Sequence, residues 1–336
     1  MAWESFWESY NQVNTFVEER IKTLEDLMTI KDKLRELVNV ITPIRNVKDS
    51  TYRSVGAVDS AYGNLFVDNW GRRFDAVCVS GIGFIPNQFI QKTPEILRDE
   101  HILGYEEEDD YRRILKGLAI AKEIHSAKMW FFEMNMDLIL IDDAAKSAII
   151  SINQAMTTKN LEKSKAGKEM KNIYKETLQA LYDMLYMGTL VFIPKESDEV
   201  LIANKISSKL NRKIDKDYPL LEVVLDKGEY IIIEPETVLE AQPWNYTLPK
   251  VEGITEDFLS KLFNLLRSLK VIYFKSMIGR VVKIETYTPL TVNQVWDFFF
   301  LQGENILAYL ADRSAKHYFG LLKTHVNEIN PWKYRV

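Results

Sequence analysis

The chain of 336 residues carries 48 acidic against 43 basic side chains, a net charge of −5, with 46% apolar and 27% charged residues. That is the composition of a globule holding one elaborated domain or two modest ones. Its acidic balance argues against indiscriminate coating of nucleic acid but is compatible with a locally basic channel. A single cysteine, Cys78, excludes a disulfide framework and a cysteine-based metal centre, and the 4 histidines (His101, His125, His317, His325) lack the spacing of a zinc site.

The start, Met-Ala-Trp-Glu-Ser-Phe-Trp-Glu, has neither a basic n-region nor a continuous apolar h-region. No segment approaches the ~18 uninterrupted apolar residues of a membrane span, so a cytoplasmic protein with no membrane partner is expected. Residues 1–45 are expected to form an N-terminal helical unit. Phe6, Tyr10, Val13, Val17, Leu24, Leu27, Leu34, Val38 and Ile41 fall on one stripe of a helix over 3–42, which Pro43 ends. Such a stripe packs on its own domain or makes a dimer contact.

Residues 46–336 are expected to form the second unit. After a polar linker, the apolar run Val55-Gly56-Ala57-Val58 ends on Asp59. Small residues then turn the chain into a second strand at 64–67, and a third follows at 74–84, which predicts an antiparallel meander. Residues 86–110, with Pro86, Pro94 and an acidic run, read as a loop. A helix from Asp110 to about Trp130 carries Glu123 and His125, and a largely apolar strand then stops on Asp142-Asp143.

Helical sequence runs from Ala144 through a Lys-rich stretch to Gly188, whose position suits a helix stop. A strand at 189–193 leads into Pro194-Lys195-Glu196-Ser197. A helix over 198–210 continues into a basic patch of Lys205, Lys209, Arg212, Lys213 and Lys216, a solvated face or a DNA contact. A strand at 230–233, an irregular stretch at 235–253, a helix at 255–269 and a hairpin turning at Gly279 follow. Helices at 292–301 and 306–322 close the chain.

Two strands that each end on an aspartate can bring both carboxylates to one edge of a sheet, where magnesium or manganese finds the oxygen ligands it prefers. Aspartates also cap strands and open turns. The element order decides between these readings. Antiparallel strands, a helix, a fourth strand ending on Asp, a helix and a fifth strand make the ribonuclease-H-like plan, an α/β fold with a mixed sheet and flanking helices. In that plan Asp59 and Asp142 hold metal ions that activate water and stabilise the departing oxygen of a phosphodiester. Lys195 adds a point charge toward the scissile phosphate.

The chain resembles the NurA nucleases of archaea and some bacteria. The likeness rests on Val58-Asp59-Ser60, Leu140-Ile141-Asp142-Asp143, Phe192-Ile193-Pro194-Lys195-Glu196-Ser197 and the segment from Gly303 to Lys316, in that order. The resemblance implies a manganese- or magnesium-dependent DNA nuclease of the two-metal type. It also implies a homodimer that works with a HerA-type hexameric DNA translocase in end resection. Single-strand endo- and exonuclease action and 5′–3′ exonuclease action on duplexes come with the family.

Its catalytic and metal residues fall on Asp59 and Asp142, with Lys195 after the fifth strand and the helix glutamate at Glu123. The pattern also departs from the family's. Asp59-Ser60-Ala61 and Asp142-Asp143-Ala144 stand where Asp-Gly-Ser is usual, and the final motif has Glu304 and Asp312 in place of Tyr and His. Asp312 is then the last metal ligand, a carboxylate for imidazole exchange that hard cations tolerate; the other register uses Tyr309 and His317. A catalytically weak scaffold that binds the translocase or DNA is the alternative function.

Overall fold

The computed structural model describes residues 18, 21–46, 54–67, 72–85, 88–102, 108–159, 161–194, 200–211, 213–241, 247–276, 279–287 and 306–328. Helix α1 (Lys31–Ile41) leads to the short strand β1 (Arg45–Asn46). Then come β2 (Val55–Val67), β3 (Arg72–Ile85), β4 (Gln88–Gln91), β5 (Glu95–Ile102) and α2 (Glu108–Ala127). A π-turn, Lys128–Phe132, passes the chain into β6 (Leu138–Ile141), α3 (Ala145–Met156), α4 (Lys165–Tyr186) and β7 (Leu190–Phe192). The remainder is α5 (Ala203–Leu210), α6 (Asp217–Val224), β8 (Glu229–Ile233), α7 (Pro235–Ala241), α8 (Glu256–Arg267), β9 (Lys270–Lys275), β10 (Val281–Thr286) and α9 (Ile306–Glu328).

The strands of the described residues join one 10-stranded sheet in the order β1-β8-β9-β10-β7-β6-β2-β3-β4, with β5 also paired to β3. The segment β5-β3-β2-β6-β7 is the ribonuclease-H-like core. Its β2, β6 and β7 run parallel, and β3 runs antiparallel to β2 and β5. Alternation along the strands sorts the two faces. Val58, Ile139, Ile141 and Phe192 pack under α2, α3 and α4, with Leu118, Ile124, Ile149 and Leu181. Val55, Ala57, Leu140 and Val191 lie on the other face with Ala311 of α9. The π-turn after α2 sits close on the strands because Gly56 and Gly81 leave room: a Cβ there would stand 2.3 Å from the Phe131 ring and 2.5 Å from that of Trp130.

At the far end of the sheet, Ile231, Ile233, Val271 and Tyr273 are covered by α5, α6 and the first helical segment, through Leu27, Leu34, Val38, Ile206 and Leu221. Thus the stripe read from the sequence packs within the chain from Leu24 onward; Phe6, Tyr10, Val13 and Val17 lie outside the described residues. Arg35, on the same helix, donates to the Val224 carbonyl at 2.8 Å and to Glu229 at 2.7 Å, tying α1 to the start of β8.

Several sequence expectations change. The first two expected strands are one strand of 13 residues, because Gly63 (φ +145°) and a register shift between Asn64 and Phe66 absorb the irregularity without a turn. The expected loop at 86–110 holds β4 and β5. The latter pairs with β3 and carries three consecutive charged residues, Arg98, Asp99 and Glu100, so no alternation marked it as a strand, and the flanking prolines and acids reinforced the loop reading. The third strand of the ribonuclease-H-like plan is therefore β5. The expected irregular stretch opens with α7, a Pro-initiated helix. The expected helix at 292–301 lies outside the described residues.

Candidate metal-binding carboxylate site

The β2–β6 ladder ends at the pair Val58↔Ile141, so the two strands deliver Asp59 and Asp142 side by side just beyond their last shared register position. The parallel pairing follows from the crossover through α2, which returns the chain to the same end of the sheet. Asp59 is buried, and its Oδ1 accepts the amide of Ser60 at 2.7 Å. Ser60 points to the opposite face, where its hydroxyl donates to Glu123 Oε1 from α2. Glu123 is only 4% exposed.

Electrostatics mark this place out. Burial drives the Glu123 carboxyl well above the ordinary glutamate value; the charge of Asp59 pushes it further, Ser60 partly opposes the rise, and Asp143 and Asp142 add to it. Asp143, whose Oδ1 accepts the Ala144 amide at 2.7 Å, is pushed up to about 6, chiefly by burial and then by Glu285 and Asp142, against the pull of Lys116. The half-exposed Tyr62 phenol is raised by burial and by Glu123 and Asp143. Carboxylates from β2, α2 and the end of β6 thus act on one another through their charges, and Tyr62 and Lys116 stand within reach of the same field.

Asp312 lies on the buried stripe of α9 with Ala311 and Ala315 and is 7% exposed. Lys316, one turn on, reaches its two oxygens at 2.7 and 2.9 Å. Where α9 crosses the sheet, Ser80 donates to Ser314 at 2.6 Å, and Ser80 is the register partner of Asp59 on β3. Asp312 therefore belongs to the helix that covers Asp59's face of the sheet. His317 is exposed and stacks edge-on to Tyr318. Lys195, Glu304 and Arg212 lie outside the described residues. Lys205 and Lys213 of the basic patch carry ion pairs to Glu240 and Asp215, at 3.6 and 2.7 Å. Within the described residues, no helix is long and apolar enough to cross a membrane.

The donor chemistry fits a hard divalent cation: buried carboxylate oxygens whose mutual repulsion a cation would offset. Among the described residues, no three His, Cys, Asp or Glu side chains form a group that could hold a metal ion as they stand. Sequence reading did not single out Asp143 beyond the motif, nor Ser60, Tyr62 or Lys116. The adjacent acid in Asp142-Asp143 and the hydroxyl directly after Asp59 were the available signals.

No sequence-family model and no curated protein matches the chain. Solved structures do. The NurA nuclease from Sulfolobus solfataricus superposes with a TM-score of 0.60 at 12% identity, covering 98% of each chain. A crystal structure of NurA with manganese gives 0.56 at 12% identity over 95% of this chain and 98% of that one. A further NurA structure gives 0.53 at 11% identity over 92% and 93%. The chain has a NurA-like fold, an α/β architecture built on a mixed sheet with flanking helices.

Proposed function

We propose that this protein is a divalent-metal-dependent nuclease that hydrolyses DNA phosphodiesters, with Asp59, Glu123 and Asp142 as metal ligands and Asp312 as a peripheral one. The observation that carries the reading is the buried Glu123 set among Asp59, Asp142 and Asp143, an arrangement unfavourable to the folded chain alone. The manganese-containing NurA structure of the same fold supports the choice of metal. Bound there, manganese or magnesium would supply water activation and neutralise charge on the scissile phosphate, in one- or two-ion form.

The chain's own groups do the rest. Asp59 is fixed by its following amide, and Ser60 orients Glu123 from the other face. Lys116 and Tyr62 flank the carboxylates, offering a cation for the phosphate backbone and an aromatic ring for a base. Lys195 is proposed to add positive charge toward the scissile group. Homodimerisation through the N-terminal unit, residues 1–45, and action on DNA ends with a HerA-type translocase complete the reading. Both are supported by the resemblance and the NurA-like fold.

The test is cleavage of labelled single- and double-stranded DNA with manganese, magnesium or chelator. Asp59→Asn and Asp142→Asn are expected to lower cleavage at least about 1,000-fold with the fold intact, since each removes an anionic ligand. Equal cleavage by wild type and both variants would overturn the assignment. A second reading, a scaffold that binds DNA or a translocase without cleaving, is favoured by the lack of a ready-made three-ligand group among the described residues. DNA binding without metal-dependent cleavage would establish it.

A further inference from the structure

Beside the carboxylate site, strand β10 buries a full ion pair. Lys283 is completely enclosed, and its ammonium lies 2.5 Å from Glu285 Oε1, a side chain 8% exposed. The other oxygen, Oε2, accepts the amide of Ala145 at 2.8 Å. Ala145 is the first residue of α3, and the preceding residues are Asp142, Asp143 and Ala144. The N-cap, Ala144, makes no side-chain cap bond to this helix. Glu285 supplies the missing acceptor from a strand 140 residues away in sequence. The carboxylate also sits at the positive end of the helix dipole.

Such a pair is a poor route to stability alone. Desolvating two charges offsets most of their attraction, and apolar side chains of similar volume commonly serve the fold as well or better. What Lys283–Glu285 provides is placement. Glu285 stands opposite Phe192 in the β10–β7 register, and β7 pairs with β6, so the strand bearing the acid is fixed relative to the strand that ends on Asp142. Its charge reaches Asp143, helping to raise that carboxyl.

We propose that Glu285, held in place by Lys283, is a positioning residue of the carboxylate site. By gripping the Ala145 amide from β10, it sets the Asp142–Asp143 turn against Asp59 and Glu123. The inference rests on the nuclease reading above for its catalytic consequence, but not for the anchoring itself. Residues one step removed from metal ligands act in this way, and losing them typically weakens metal binding or activity about 10- to 100-fold.

The test compares the full-length wild type with two double variants and one single variant. Lys283→Met with Glu285→Gln keeps an acceptor for the amide without either charge; Lys283→Met with Glu285→Leu keeps the volume and removes the acceptor. Ala145→Pro removes the amide while keeping both charged side chains. The ring carbon that replaces the amide hydrogen makes Glu285 Oε2 withdraw from its 2.8 Å contact, and the first helical position after the extended Ala144 accommodates the proline backbone. The readouts are hydrogen exchange over residues 142–146, manganese affinity by electron paramagnetic resonance, and kcat and KM on DNA.

The Leu variant should lose about tenfold or more in exchange protection and manganese affinity. Its kcat should fall about 30-fold with KM within about threefold, while its Tm is no lower than that of the Gln variant. The Gln variant should stay within about threefold of wild type throughout. Ala145→Pro should reproduce the loss of manganese affinity and kcat, and it decides the matter if the Leu variant fails to fold. Unchanged exchange and manganese affinity in the Leu variant, or wild-type manganese affinity and kcat in Ala145→Pro, would overturn the proposal. A wild type that neither binds manganese nor cleaves would defeat the nuclease reading, and exchange over 142–146 would still decide the anchoring.

Discussion

Two regions of the molecule bury carboxylates and treat them in opposite ways. Asp217, wholly enclosed at the β8–β9 end of the sheet, accepts the amides of Leu201, Ile202 and Ala203 at 2.8, 2.9 and 2.7 Å and the Tyr273 hydroxyl at 3.3 Å. Asp99 likewise takes the Ala166 amide at 2.8 Å and the Tyr111 hydroxyl at 3.0 Å, capping α4 from the neighbouring β5. These acids face donors. Glu123 has the Ser60 hydroxyl but otherwise faces Asp59, Asp143 and Asp142. A buried acid surrounded by amides closes a fold, whereas one surrounded by acids calls for a cation from outside.

Substitutions that remove charge but keep shape should separate the two regions. The largest effect on stability is expected at Asp217→Asn, which turns an amide group toward backbone N–H donors. Urea unfolding should show a loss of about 3 kcal/mol or more, the scale for charged hydrogen bonds left unmade. Glu123→Gln should do the opposite. In metal-free buffer near pH 8 its Tm should equal or exceed that of wild type, while cleavage falls at least about 100-fold. A marked drop in Tm for Glu123→Gln would erase the contrast.

A smaller effect sharpens the comparison at Glu229. Burial pushes this carboxyl up, but the Arg35 guanidinium and the Asp226 amide more than offset the rise and leave it below the ordinary glutamate value. A lowered carboxylate stabilises the fold above its unfolded value, near 4.5, and that contribution is lost as pH falls through the folded value. Arg35→Met should therefore shrink the Tm difference between pH 7 and pH 3. An undiminished difference would place the acid sensitivity elsewhere.

The two strand-end aspartates were legible because strands that end on an acid leave a linear trace: Val55 to Val58, then Asp59; Leu138 to Ile141, then Asp142. Glu123 was legible only through the family resemblance, since spacing along an isolated helix does not say which turn lies over Ser60. Strand β5 stayed hidden because only one side of it meets a neighbour of its own kind: it pairs with β3, and its Arg98, Asp99 and Glu100 read as loop. The Lys283–Glu285 pair left no trace either. Two opposite charges at alternate positions of a strand usually mark a solvent face, and only the arrival of α3's first amide shows why this pair is enclosed.

The central claim is that the acids around Glu123 form a cation site. Thermal unfolding with increasing manganese tests it most directly, because a ligand that binds only the folded chain raises its Tm by an amount that grows with the logarithm of its concentration above Kd. Manganese should stabilise the wild type by several degrees and Glu123→Gln hardly at all, reversing their metal-free order. Equal stabilisation of both, or of neither, would contradict the claim.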